Sequence, residues 1–145
     1  MPFDKVEFTD LEEALAGSGK TCLDYLAQSV GKAYVIVVTR DGCPACEKQE
    51  PELERLAERL AGSHNGKVIF THVHVKQPSG STQESIRSKD VLGHYFYPTN
   101  FILIRTSDRG AIEYYRAASP DIEDLEKHIE KAVEIAAFFD EAEAV

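Results

Sequence analysis

The sequence predicts a single α/β domain built on a mixed sheet, and three observations carry that prediction. Two runs of β-formers, YVIVV at 34–38 and KVIFTHVHV at 67–75, flank a stretch with apolar residues at helical spacing: Leu53, Leu56, Ala57 and Leu60. Strands joined through a helix pair in parallel by a right-handed crossover. Two further β-rich stretches, NFILIR at 100–105 and AIEYYRA at 111–117, are joined only by the turn-forming SDRG at 107–110, so they must pair antiparallel.

The elements follow in order. TDLEEALA (9–16) reads as a helix with Thr9 or Asp10 as N-cap and acids in its first turn. GSGK (17–20) interrupts it, and TCLDYLAQSV forms a second helical piece. YVIVV is uniformly apolar, as a strand covered on both faces should be. The long helix that follows closes at Gly62-Ser63. After the second strand, QPSGSTQES is rich in turn formers, and a short helix over 82–92 ends near Gly93. Ser119, Pro120 and Asp121 read as N-cap, N1 and N2 of a last helix, whose stripe is Ile122, Leu125, Ile129 and Val133. The acidic end DEAEAV is expected to fray. This divides one domain, 1–145, into an N-terminal helical extension (1–32), a core (33–135) and an acidic tail (136–145).

At 145 residues the chain is long enough to bury a core without staples, and three cysteines are too few for a disulfide scaffold. The net charge of −9 argues against nucleic acid and anionic membranes as partners. MPFDKVEFTD carries acids where a secretory signal would carry an apolar core of about 7–15 residues, and no run approaches the ~18 apolar residues of a membrane span. The expected compartment is therefore the cytoplasm, where thiols stay reduced and a CxxC pair is catalytic or metal-binding more often than structural.

Cys43 and Cys46 stand two residues apart in TRDGCPACEKQEP (39–51), directly after the first strong strand. A metal clasp, a structural staple and a redox pair all use this spacing. His72 and His74 share a strand face and would complete a Cys₂His₂ zinc set, but they lie within or beyond a neighbouring strand while the cysteines sit at a strand end. GSGKT (17–21) imitates the end of a phosphate-binding loop, yet Ala14 stands where its first glycine belongs and no strand precedes it; a helix-to-helix turn is the simpler reading. Cys22 reads as a small buried apolar residue, and the Tyr95-Phe96-Tyr97 and Tyr114-Tyr115 groups as packing.

The strand order together with these motifs resembles the thioredoxin-like superfamily over roughly residues 33–135. Cys43-Pro44-Ala45-Cys46 matches the active-site motif at the strand-to-helix turn, and Pro51 the proline that kinks the following helix. Tyr97-Pro98-Thr99 matches the cis-proline loop, and Gly110 the glycine of the final hairpin. The resemblance implies a thioredoxin fold: a mixed, four- to five-stranded central sheet flanked by helices, here with the N-terminal helical extension. It also implies a thiol–disulfide oxidoreductase that reduces protein disulfides. Cys43 would be the nucleophile at a helix N-terminus and Cys46 the resolving thiol, with no cofactor beyond their redox-active disulfide and no metal. Gly42, Pro44, Ala45, Tyr97 and Pro98 would line the substrate site, where the ring of Tyr97 narrows the groove. Implied partners are disulfide-containing proteins and a reductase electron donor, acting on a monomer. Two alternatives remain: a redox-sensitive interaction module with little turnover, and a metal or iron–sulfur protein.

The chain departs from that pattern in places. Gly42 stands where thioredoxins commonly have Trp, and the chain contains no Trp. Val37 stands in place of a buried Asp, and the Lys that often accompanies that Asp aligns with Thr71. The glutathione-binding residues of the glutaredoxins, which also use CPxC, are not recognisable.

Overall fold

The computed structural model describes residues 3–76, 83–108 and 110–144. The expected turn residues 77–82 and Arg109 lie outside them. Among the described residues one sheet has the order β1-β3-β2-β4-β5, with β1 Phe3–Glu7, β2 Ala33–Arg40, β3 Val68–Val75, β4 Thr99–Ser107 and β5 Gly110–Ala118. β1 and β2 run parallel to β3, while β2–β4 and β4–β5 pair antiparallel. The mixed sheet expected from the strand spacing is therefore present, and its fifth strand comes from the N-terminal extension.

That extension is not purely helical. β1 adds to the outer edge of β3, and α1 (Phe8–Ser18) starts at Phe8 with Glu7 as N-cap, ahead of the expected Thr9 or Asp10. Burial decides the start: Phe8 is fully buried and Leu11 nearly so, which pulls the first turn onto the sheet. Gly19, with φ 69°, closes α1, and Thr21 caps the short α2 (Cys22–Leu26) by accepting the Asp24 N–H. Gly17 and Ser18 thus end α1, and Gly19, Lys20 and Thr21 make the turn between the two helices.

α3 (Pro44–His64) covers one face of the sheet together with α5 (Ile122–Ala144), and α1 packs on the other with α4 (Gln83–Leu92). One core gathers Val35, Val37, Leu53, Leu56, Ile102, Leu125 and Ile129; the second gathers Phe8, Leu11, Ile36, Val38, Val73, Phe101 and Leu103. Alternate residues of β2 feed the two cores, which is why YVIVV is apolar throughout.

Two boundaries differ from expectation. α5 begins at Ile122, where the Leu125 N–H donates to the Asp121 carbonyl; Ser119 lies outside it with φ 44°. The acidic stretch is also part of the last helix: α5 runs through Ala144, with Ala132 and Ala136 both fully buried on its apolar stripe.

If β1 and α1 belong to the folding unit, Phe8→Ala should cost about 3–5 kcal/mol, the usual range for emptying a buried aromatic site. Urea denaturation checks this; a loss under 1 kcal/mol would make the extension an appendage.

Candidate functional site

β2 ends at Arg40, and the chain turns through Asp41 and Gly42 into α3. Gly42 takes φ 65°, a left-handed conformation in which a bulky side chain would be strained, so the tryptophan position of the related motif is here a backbone turn. Cys43 is the N-cap of α3 and Pro44 occupies its first position, where a missing N–H costs nothing. Cys43 Sγ accepts the Cys46 N–H at 3.2 Å and is disulfide-bonded to Cys46. Both cysteines are mostly buried, whereas Gly42, Pro44 and Ala45 are exposed. Pro51 sits inside the helix, as the motif implied.

Two clamps hold the turn. Arg40 Nη1 donates to the carbonyls of Asp41 (2.8 Å) and Gly42 (3.2 Å), and its guanidinium lies 5.6 Å from the Tyr97 ring centroid. His74 bridges Glu7 on β1 (Nδ1–Oε2, 2.9 Å) and Asp41 (Nε2–Oδ1, 2.8 Å).

Across from the cysteines, the Tyr97–Pro98 peptide is cis, and the Ser119 N–H donates to the Pro98 carbonyl at 2.9 Å. The Tyr97 ring does not stand across the groove. Its hydroxyl bonds Ser85 (2.8 Å) and Ser88 (3.1 Å) of α4, and its edge meets the buried His94 ring at 4.8 Å between centroids. His94 Nε2 in turn pairs with Ser88 Oγ at 3.1 Å. The bulk of Tyr97 is absorbed by α4.

Below Cys46 lies a cavity of about 260 Å³, lined among others by Val37, Thr39, Gln49, Glu50 and His72. Val37 and Cys46 therefore line the same cavity, in keeping with what the resemblance implied. Its partner across β3 is His72, not Thr71: the register pairs Val37 with His72 and Ile36 with Thr71, and Thr71 lines a separate hollow on the opposite face. Alternation along β3 makes the two positions exclusive. Thr39 Oγ1 and His72 Nε2 form a short hydrogen bond. Burial, with Lys5 and His74 adding to it and Glu7 opposing, lowers the His72 pKa to about 4. His94 is lowered to about 4 as well, mainly by burial, with its bond to the Phe96 carbonyl opposing.

Sequence reasoning weighed His72 and His74 only as metal ligands. Both line the cavity beside Cys46, but each is engaged with protein groups, and no cluster among the described residues is arranged to hold a metal ion. Two more residues were missed. Gln49 and Asn100 are buried with both side-chain amide atoms unpaired. Their signal was present: Gln49 interrupts the stripe Cys46, Leu53, Leu56, Leu60, and Asn100 is in phase with the core residues Ile102 and Ile104. Asn100 is also the β4 partner of Val37. Cys22 is half-buried on α2, where burial pushes its thiol up to about 11 against the pull of Arg116.

This architecture, with a CPAC disulfide at the N-terminus of α3, is that of a thioredoxin-fold protein. Spinach chloroplast thioredoxin f (short form) superposes with a TM-score of 0.58 at 19% identity, over 90% of this chain and 92% of that one. Thioredoxin O2 from Arabidopsis thaliana in its oxidized state gives 0.58 at 13%, over 90% and 93%. Thioredoxin f2, crystallised in a complex with ferredoxin:thioredoxin reductase, gives 0.56 at 17%, over 90% and 94%. No protein-family model and no curated protein sequence matches the chain.

The two low histidines fix a pH dependence. Each is neutral in the fold, while in the unfolded chain each binds a proton near pH 6.5. Between about pH 6.5 and 4 the unfolded chain thus binds more protons, and stability falls as pH drops through that window. Denaturant midpoints measured from pH 7 to 4 should show this decline, with a shallower slope in His72→Gln; an unchanged slope would mean that His72 is not buried neutral.

The register yields another expectation. In Val37→Asp a carboxylate would face His72 and favour the imidazolium, so the His72 pKa should rise above about 4. NMR titration of the ring checks it, and no upward shift would contradict the pairing.

Proposed function

We propose that this protein is a thiol–disulfide oxidoreductase that reduces disulfides of other proteins through a Cys43/Cys46 dithiol–disulfide cycle. The observation that carries the reading is the Cys43–Cys46 disulfide at the N-terminus of α3, with Cys43 as N-cap. In the reduced protein the unpaired N–H groups of the first turn and the helix dipole favour the Cys43 thiolate, the reactive form in exchange. That thiolate attacks a substrate disulfide, forming a mixed disulfide and releasing one substrate thiol. Cys46 then attacks Cys43 Sγ, the second substrate thiol leaves, and the Cys43–Cys46 bond reforms.

The substrate would lie over exposed Gly42, Pro44 and Ala45 and beside Pro98, with the Tyr97 backbone offering strand-like hydrogen bonds. Anchoring of the Tyr97 ring on α4 supports this, since it keeps the ring out of that path. Recycling requires an electron donor, and we assign that part to a reductase; thioredoxin f2, one of the structural neighbours, is seen in complex with one. We assign its action to a monomer, and the low cysteine count suits a reducing compartment such as the cytoplasm.

One observation favours the slower reading, a redox-sensitive interaction module: the site below Cys46 holds Val37 and no carboxylate at that position. Reduction of insulin with dithiothreitol as donor separates the two, because a module without turnover would not accelerate it.

In that assay Cys43→Ser should abolish activity. Cys46→Ser should instead retain substrates as mixed disulfides that dithiothreitol releases. The raised thiol of Cys22 takes no part, so Cys22→Ala should keep wild-type turnover. Trapping by Cys43→Ser and not by Cys46→Ser would reverse the assigned roles.

A further inference from the structure

The resolving step leaves a proton to be placed. Cys46 is mostly buried, and the residue directly below it, Val37, cannot accept one. The cavity on this side of the cysteine nevertheless has polar walls. Gln49 sits one helical turn beyond Cys46, is 8% exposed, and lines the cavity with its amide oxygen and nitrogen both unpaired. Leaving such groups dry costs about 1–3 kcal/mol each. On the β3 side of the cavity His72 is oriented by Thr39 through Nε2. The cavity, about 260 Å³, has room for several waters, each of which needs about 10–15 Å³ on the same measure.

We propose that this cavity is a water site that carries the Cys46 proton, with Gln49 and His72 as the residues that position the water. The inference rests on the redox cycle proposed above. In the resolving step the Cys46 S–H bond breaks and its proton passes to a cavity water. The sulfur electron pair forms the bond to Cys43 Sγ, and the Cys43–substrate bond breaks. The substrate leaves as a thiolate and takes up a proton from solvent. Two electrons pass from the Cys43/Cys46 pair to the substrate, and one proton leaves through the cavity.

His72 is not the final base. With its pKa near 4 it stays neutral at working pH and serves as a hydrogen-bonding wall. The charged groups around it fit that role. Lys5 and Glu7 act on it from β1 and His74 from β3, while Arg40 and Asp41 at the end of β2 and Glu47, Glu50 and Glu54 of α3 line the same cavity. The carboxylates of Glu47 and Glu50 are on exposed residues and can pass the proton to bulk water.

The test uses the full chain with Cys43 carrying thionitrobenzoate as a mixed disulfide, so that resolution by Cys46 releases a coloured thiol. In Gln49→Leu and His72→Phe the release should slow by about tenfold, and its pH midpoint should move upward. Iodoacetamide alkylation of reduced Cys43 should keep the wild-type pH profile in both, which a general loss of structure would not allow. In wild type the release should show a solvent deuterium effect with a curved proton inventory, a readout that needs no variant. Wild-type rates in both variants, or a linear inventory with no isotope effect, would overturn the proposal. A wild-type protein that releases no thionitrobenzoate would overturn the redox cycle itself, and the inference with it.

Discussion

The parallel pairing of β2 with β3 is the constraint on which the rest of the site depends. β2 is buried on both faces, held between β3 and β4 in the middle of the sheet. Its register with β3 decides which side chains stand below the cysteines. A slip of one residue would turn His72 out of the cavity and bring Thr71 in, and would reverse every other core residue of the strand. Two cores, one on each face, oppose that slip. The site's position is thus fixed by the burial of residues remote from its chemistry.

The same strand delivers the cysteines. Where β2 runs out, the Asp41 N–H still donates to the Val75 carbonyl, and side chains add to the hold on the turn through Gly42. Arg40 takes two of its carbonyls, and His74 ties Asp41 to the far edge of the sheet through Glu7. β1 therefore has a role beyond adding an edge: it supplies one end of the clamp. The opposite wall is held in the same manner, by Tyr97 on Ser85 and Ser88 and by Ser119 on Pro98.

Features with a strong local signal were legible in the sequence. β2 announced itself as a continuous β-branched run, α3 through its apolar spacing, and CPAC through its place at their junction. β1 was not, because FDKVE is short, carries three charged residues, and becomes a strand only when the edge of β3 offers it hydrogen bonds. The start of α1 was misplaced for a related reason: burial of Phe8 outweighed the capping preference of Thr9 and Asp10. The choice between Thr71 and His72 was a matter of phase, and sequence spacing to a neighbouring strand does not give phase. Gln49 and Asn100 could have been found, since each is a polar residue at a position where helix or strand periodicity calls for an apolar one.

Those polar residues change how the site's electrostatics must be understood. A carboxylate at position 37 would disfavour a thiolate at the helix N-terminus by repulsion, and Val37 adds no such charge. The polar groups on that face include the Gln49 amide and the uncharged His72 imidazole, which line the cavity together with the carboxylates of Glu47, Glu50 and Glu54, and the Asn100 amide beside Val37 on β4. On the proposed cycle, Gln49 and His72 would hold water beside Cys46 without themselves adding a charge there. The cost is paid in stability, because unpaired amides next to the Val35–Ile102 core weaken the same layer that holds β2 in register. Gln49 meets that layer one helical turn from Cys46 on the cavity wall, and Asn100 meets it as the β4 partner of Val37.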